Sequence, residues 1–577
     1  MVADSGWTVE MAIPWTTLRF DPTKTDQVWG LNLLRRVRRK NEDAYWAPVD
    51  RKDPLHRMSK AGTLDGIRDI HAGRNLRIKP FALASYQSVS RPLTTNPSAE
   101  GGVRGASAFV GRGGADADLG ADVKWGLTSG LTLDATFRTD FSQADVDQER
   151  VNLTRFPLFF PERRDFFVEN SGSFLLGDVT ERNIRTGSSL REFTLFHSRR
   201  IGLTGDGRPV PILAGGRVTG RAAGFELGLL EMQTQRVDSL PAENFAVLRA
   251  RRNLGGSDLG FMLINRQATG DTAANSYNRS YGVDANVRLL GHMVVNSYFA
   301  GTAEPIATGN QTAARVAVGW RDRIWDGSVF VKRVGEAYDP GVGFVRRTGV
   351  RQAYATVGAH PRPLPSLIQE TNPYVELSYV TDLNSVLETR EASVGLNTEF
   401  YDGSTLNLQY SNQFERIEQP FRVSGVPIPA ADYGFNQVSV SYQSNQGRPL
   451  NGSINFGAGG YYGGTRRSVS GELQWRAHYR LMFEGSASHN AVKLPQGGFN
   501  ADVIGGRVRV SYSTRLFCSA FVQYNSQSNQ VVTNLRLNWI YAPLSDVFLV
   551  YQERRDVANH VTLDRVVTAK VTRLFAF

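Results

Sequence analysis

The chain has a single cysteine, Cys518, so no internal disulfide can form, and its setting in CSAFVQY marks it as a small apolar side chain on a strand. No run of 18 apolar residues occurs, which excludes a transmembrane helix. Ala, Leu, Glu and Lys at helical spacing are scarce, which argues against a helical bundle. The 8 histidines are scattered, with no His-x-x-x-His pair and no carboxylate at metal spacing, and there is no Gly-x-Ser-x-Gly elbow. Nothing points to catalysis, although a glycosidase carboxylate pair is defined by separation in space and leaves no sequence mark. A leader segment is also missing: Met1 runs straight into VADSGWTVEMAIPW, which reads as the inside of a folded domain, so the chain is expected to be a piece of a longer protein.

What is present is an all-β composition, with 57 glycines and abundant Ser, Thr, Asn and aromatic residues across 577 positions. From Leu76 onward, segment after segment alternates with period two. Leu131, Leu133, Ala135 and Phe137 oppose Thr132, Asp134 and Thr136, and Leu473, Trp475 and Ala477 oppose Gln474, Arg476 and His478. Each such strand has one apolar face and one face of charges and amides. Tyr410, Tyr442, Tyr479, Tyr512, Tyr541 and Tyr551 fall toward the ends of the apolar faces, as an interfacial girdle would. Roughly 20 residues per strand and turn predicts on the order of two dozen strands, and closure into a barrel removes the exposed edges of so large a sheet. The expected fold is therefore a large transmembrane antiparallel β-barrel of about 20–26 strands. A mean hydropathy of −0.30 is compatible with that, because lipid-facing and lumen-facing residues average out. Tight connections at Thr128–Gly130 and Asp402–Ser404 contrast with long polar ones at Ser88–Leu119, Glu304–Gln311 and Arg416–Tyr433; the glycine-rich Gly101–Gly120 reads as a mobile external loop.

The net charge is +11 and the pI about 9.6. A nucleic-acid binder would concentrate this charge in one patch, whereas here arginine is spread along the whole chain, so nucleic acid is set aside as a partner. Arginines facing the lumen, the turns and anionic lipid headgroups, including lipopolysaccharide, account for the spread.

One stretch has no periodicity at all. Residues 139–177 pack Phe156, Phe159, Phe160, Phe166, Phe167 and Phe174 among Asp140, Asp145, Asp147, Glu149, Arg150, Arg155, Arg163 and Arg164. Each exposed ring would forfeit burial of roughly 2–3 kcal/mol, and each buried charge needs a partner. A barrel lumen meets both demands, so the segment is expected to lie in or across the lumen as a plug held by its carboxylate–arginine network. The four acids could instead hold a Ca²⁺ ion, but their spacing is not that of an EF-hand and the turn glycine is missing; no cofactor is expected.

The run DFSQADVDQERVNLTRFPLFFPERRDFFVEN, with LFHSRRIG, VGEAYDPGVGFVRR and VQYNSQSNQVVTNLRLNWIYAPLSDVFLVYQERRD after it, resembles a bacterial outer-membrane β-barrel family of unassigned function. The resemblance spans nearly the whole chain. Its members usually carry a β-sandwich similar to a family-9 carbohydrate-binding (DOMON-like) module ahead of the barrel. That implies a truncated sandwich remnant over residues 1–70, with Trp15, Trp29 and Trp46 as core or sugar-stacking rings, and the barrel over 71–577. It further implies outer-membrane localisation and binding or passage of a small solute, plausibly carbohydrate. A non-conducting adhesion scaffold and a carbohydrate-active hydrolase are the alternatives. Phe575 and Phe577 fit the terminal signal read by the barrel-assembly machinery; Arg573 departs from it and leaves the register there open.

Overall fold

In a computed structural model of the chain, the described residues are 76–92, 109–139, 150–179, 185, 187, 189–204, 210–237, 240–270, 276–364 and 366–577. In the first 75 residues they are 2–3, 6–13, 15, 18, 20, 24–37, 42–49, 55, 58–70 and 75. There, Asp26–Leu31 pairs with Gly62–Arg68, Leu34–Val37 with Glu42–Tyr45, and Val2–Ala3 with Gly6–Trp7, all antiparallel.

From Leu76 the chain forms one closed antiparallel barrel of 24 strands, within the expected range. The first strand, Leu76–Pro92, pairs with the last, Val561–Thr572, which resumes at Phe575–Ala576. Thr572 faces Phe81 and Phe575 faces Ile78, so the register is unbroken. The ladder lapses between them because Pro80 has no N–H to donate. This resolves the register at Arg573: its guanidinium lies 5.9 Å from the Tyr541 ring centroid, and Phe575 and Phe577 are exposed beside it.

Burial runs opposite to that of a water-soluble protein. Thr132, Asp134 and Thr136 are buried while Phe137 is 54% exposed on the other face, and Leu473 and Trp475 are exposed while Asn490 and Gln523 point into the barrel and are buried. This inversion is what a lipid-facing belt around a polar lumen produces. Trp125, Trp325, Trp475, Tyr479, Tyr512 and Trp539 are exposed toward one rim, the one that carries both ends of the barrel sequence and short turns such as 223–224 and 255–256. Short turns mark the periplasmic side. Tyr410 and Tyr551 depart from the expected girdle and sit in mid-strand, within Thr405–Ile417 and Ser545–Asp556. The glycine-rich stretch is also corrected: Phe109–Gly126 is a strand zipped to Leu76–Pro92, so the described parts of Ser88–Leu119 are barrel wall. Glycine is needed there because a Cβ at Gly120 would collide with the Phe81 ring. A closed barrel of this kind belongs to the outer membrane of a Gram-negative cell.

Strand Leu131–Phe137 pairs with Ile212–Ala222, and all of 138–211 lies between them in sequence. This connection starts and ends at the external rim and turns inward. It extends well beyond residue 177, the expected boundary.

Candidate functional site

The inward segment makes its own apolar core with one side of the wall. Phe167, Phe174, Leu176, Phe193, Leu195, Phe196 and Ile201 are buried against Leu230, Met232, Phe245, Val247, Met262, Ile264 and Tyr298. Those wall strands are therefore apolar on both faces, lipid outside and segment inside. Room for the segment comes from glycine: a Cβ at Gly228 would sit 2.9 Å from the Phe174 ring, and one at Gly282 2.9 Å from Leu195. The connection Gly335–Gly349 folds in as well, its Phe344–Val345 pairing with Phe193–Thr194.

Three polar anchors hold the segment. At Asp178, fully buried, one carboxylate oxygen accepts from Tyr298 Oη (2.8 Å) and the other from Lys332 Nζ (2.9 Å), with Arg315 Nε 3.8 Å away while Arg315 Nη1 donates to Asn296 Oδ1 (2.8 Å). At the helical turn Asp165–Val168, wall residue Arg217 donates to the carbonyls of Phe166 and Glu169 and to Asp134 Oδ2 (3.1 Å). Within the segment, Arg164 bonds both oxygens of Glu162 (2.8 and 2.7 Å) and the carbonyls of Ser198 and Ile201 (both 2.7 Å), closing 162–164 onto 198–201. Burial pushes the Glu162 carboxyl up, but the Arg164 guanidinium outweighs it and holds it below the usual range.

A fourth contact reaches the opposite wall. Val151 and Leu153 enter an apolar cluster with Ile417, Val423, Ile428, Tyr461 and Tyr462, where Tyr461 Oη donates to the Leu153 carbonyl (2.6 Å). Arg155 Nε lies 3.0 Å from Glu415, which also accepts from Tyr462 Oη (2.7 Å). The segment thus straps the lumen near its external end and then packs along one side of it.

Opposite the packed side the lumen is open. A cavity of about 630 Å³ lies between residues 150–159 and the wall, lined by Asn455, Ser470, Ser486, Ser488, Asn490 and Gln523. A second, of about 340 Å³, shares Glu472 and Ser486 with it and continues toward the periplasmic turn at Gln446. The largest concavity, about 1060 Å³, includes the exposed Leu229, Leu263 and Tyr281 and faces lipid, so it is no solute site.

Half of the expected network, Asp140, Asp145, Asp147 and Glu149, lies outside the described residues. Of its arginines, Arg155 pairs with Glu415 and Arg164 with Glu162, Arg163 caps Glu162 through its backbone N–H (2.9 Å), and Arg150 lines the cavity. Among the described residues, no cluster of three or more His, Cys, Asp or Glu could hold a metal ion. Trp15 and Trp29 meet edge to face at 5.5 Å, while Trp46 packs over Gly62; Trp15 and Trp46 remain exposed. Asp178, Arg217, Arg315 and Lys332 were not singled out in sequence; each stands in or faces an otherwise apolar stretch, which is the trace they leave.

His197 gives the segment a pH signature. Its Nε2 sits 3.1 Å from the Phe160 carbonyl and burial lowers its pKa to about 4, so it is neutral when docked. The undocked imidazole takes up a proton below about pH 6.5, so docking stability is complete above that value and declines as pH falls toward 4, by about 2 kcal/mol at pH 5. Glu162 acts in the same direction, but only below its ordinary range near pH 4.5. Hydrogen exchange of residues 190–204, corrected for intrinsic rate, should be faster at pH 5.0 than at 7.5, and His197→Gln should abolish the difference.

A profile of the domain of unknown function DUF5916 matches residues 104–210, which takes in the inward segment. No curated protein matches the chain. Among solved structures, the chain is similar to the siderophore receptor PirA from Pseudomonas aeruginosa, at 8% identity over 89% of this chain and 83% of that one, with a TM-score of 0.35. It is similar to the FrpB iron transporter from Neisseria meningitidis at 9% identity, 64% and 80% coverage and a TM-score of 0.42. The outer membrane protein opdK from Pseudomonas aeruginosa gives 9% identity, 60% and 94% coverage and a TM-score of 0.31. At 8–9% identity, none of their residues is carried over to this chain.

Proposed function

We propose that this barrel binds a small polar solute in the open half of its lumen and passes it across the outer membrane, without catalysing a reaction on it. The observation that carries this reading is the asymmetry of the filling. The segment is packed against one wall by an apolar core, while the facing wall keeps adjoining cavities of about 630 and 340 Å³. Amide and hydroxyl side chains line those cavities, and such groups hydrogen-bond polyhydroxylated molecules, which supports a carbohydrate as the solute. Partners implied by the same reading are lipopolysaccharide around the belt and the barrel-assembly machinery at Phe577.

The test is solute flux in proteoliposomes, with folding checked by heat-modifiable gel migration. Wild-type protein should admit raffinose, and Ser488→Trp, which fills the open side, should cut the rate at least fivefold while the gel shift persists. A folded wild-type barrel that admits no solute would overturn the passage reading and leave a non-conducting surface scaffold.

A further inference from the structure

The geometry points to an oxyanion-binding site in the larger lumen cavity: the solute carries a carboxylate or phosphate that is received by Arg150, Arg191 and Arg466. This deepens the proposed function and rests on it for the route by which the solute arrives.

Among the described residues, four guanidinium groups face the cavity against two carboxylates, Glu192 and Glu472. Arg346 and Glu192 are already committed to each other, with Nη1 2.5 Å from Oε1. What remains is an excess of positive charge on two independent elements. Arg150 and Arg191 come from the inward segment and are exposed to the cavity. Arg466 comes from the wall strand Gly464–His478 and points inward, since its neighbours in the alternation, Val469 and Leu473, are exposed to lipid.

Arg466 is the informative residue. It is half-buried, it lines both this cavity and a smaller one of about 110 Å³ beside Gln409 and Gln437, and among the described residues it has neither a hydrogen bond nor an ion pair. The Tyr461 ring lies 5.9 Å from its guanidinium carbon. By contrast Arg155, Arg347 and Arg164, also in or beside the segment, are matched to Glu415, Glu388 and Glu162. Among the described residues, these arginines and Arg346 are paired with acids, whereas Arg150, Arg191 and Arg466 have no acid partner. A guanidinium held in a confined lumen without an anion favours an oxyanion from outside, and its planar fork suits carboxylate and phosphate alike. The surrounding Ser and Asn side chains would bond the remaining hydroxyl groups of such a solute.

Citrate is the probe. Calorimetric titration of the detergent-refolded full chain at low salt should show binding that competes with inorganic phosphate when the site reads charge alone, and that resists phosphate when it reads carboxylate geometry. Arg191→Gln/Arg466→Gln should weaken citrate at least tenfold, Arg466→Lys should restore part of it, and Glu472→Gln should tighten it. In planar bilayers, the reversal potential under a KCl gradient should show anion preference that the double variant loses. A double variant that binds citrate within twofold of wild type, with its gel shift intact, overturns the site. A barrel that binds citrate but conducts nothing keeps the site and sinks the passage reading. One that conducts with neither citrate binding nor anion preference sinks the site and keeps passage.

Discussion

Replacing Asp178 by alanine should free the inward segment while leaving the barrel closed. The carboxylate is fully buried and is the counter-charge given to both Lys332 and Arg315, which themselves sit on wall strands and are buried. Removing it strands two cations in a site with little water, and breaking a buried pair from one side costs about 3–5 kcal/mol. The strands do not depend on it, since their ladders close from Leu76 round to Thr572 without the segment. Trypsin gives a direct readout, because the segment offers Arg155, Arg163, Arg164, Arg191, Arg199 and Arg200, of which Arg164 is buried while docked. Wild-type protein should resist nicking there, and Asp178→Ala should be cut within the segment while keeping its heat-dependent gel shift. Single-channel current should rise several-fold as the packed half of the lumen empties. Asp178→Asn/Lys332→Met, which removes one buried charge of each sign, should recover much of the resistance. Equal resistance in wild type and Asp178→Ala would show that the apolar core alone holds the segment.

The barrel was legible because lipid and lumen impose period two on every strand, and that pattern survives without knowledge of any neighbour. The lumen segment was legible for the opposite reason: a dense mix of Phe, Asp and Arg with no period has no place on a water-exposed loop. The partners of its charges were hidden. Asp178 meets Lys332 and Arg155 meets Glu415 across 154 or more residues of meander, so the pairing depends on strand register through many barrel strands. Proximity in sequence pointed to the acids nearest to Arg150–Arg164 and gave no sign of Glu415, the partner that the wall supplies to Arg155. The glycines of 109–120 were misleading because glycine marks loops and also marks walls where a ring lies flat against the backbone, as Phe81 does at Gly120. Which half of the lumen stays open could not be read either. Inward positions such as Met262 and Ile264 look like core and Ser486 and Ser488 look like lumen, yet only the fold shows that the first group faces the segment and the second faces the cavity.

Arg217→Met should undock the helical turn at Asp165–Val168 and, with it, the route from the strap to the apolar core. Arg217 is 2% exposed and serves two carbonyls at the end of that turn, those of Phe166 and Glu169, together with the carboxylates of Asp134 and Glu169. Methionine matches its length and apolar stem but leaves all four acceptors without this donor. Lys124 moderates the loss, since its ammonium lies 3.4 Å from Asp134 and also contacts Glu169. The cost should therefore be nearer 3 than 5 kcal/mol, against about 1 for an exposed ion pair. Lysine at 217 restores the charge without the fork that serves the two carbonyls through Nη1 and Asp134 through Nε, so Arg217→Lys should fall between wild type and Arg217→Met in resistance to cleavage after Arg163 and Arg164. Lys124→Met alone should have a small effect, and Lys124→Met/Arg217→Met should lose more than the sum of the two, because each cation covers Asp134 and Glu169 when the other is gone. Strict additivity in that cycle would mean that the two cations hold the segment independently and that these carboxylates are not their common anchor.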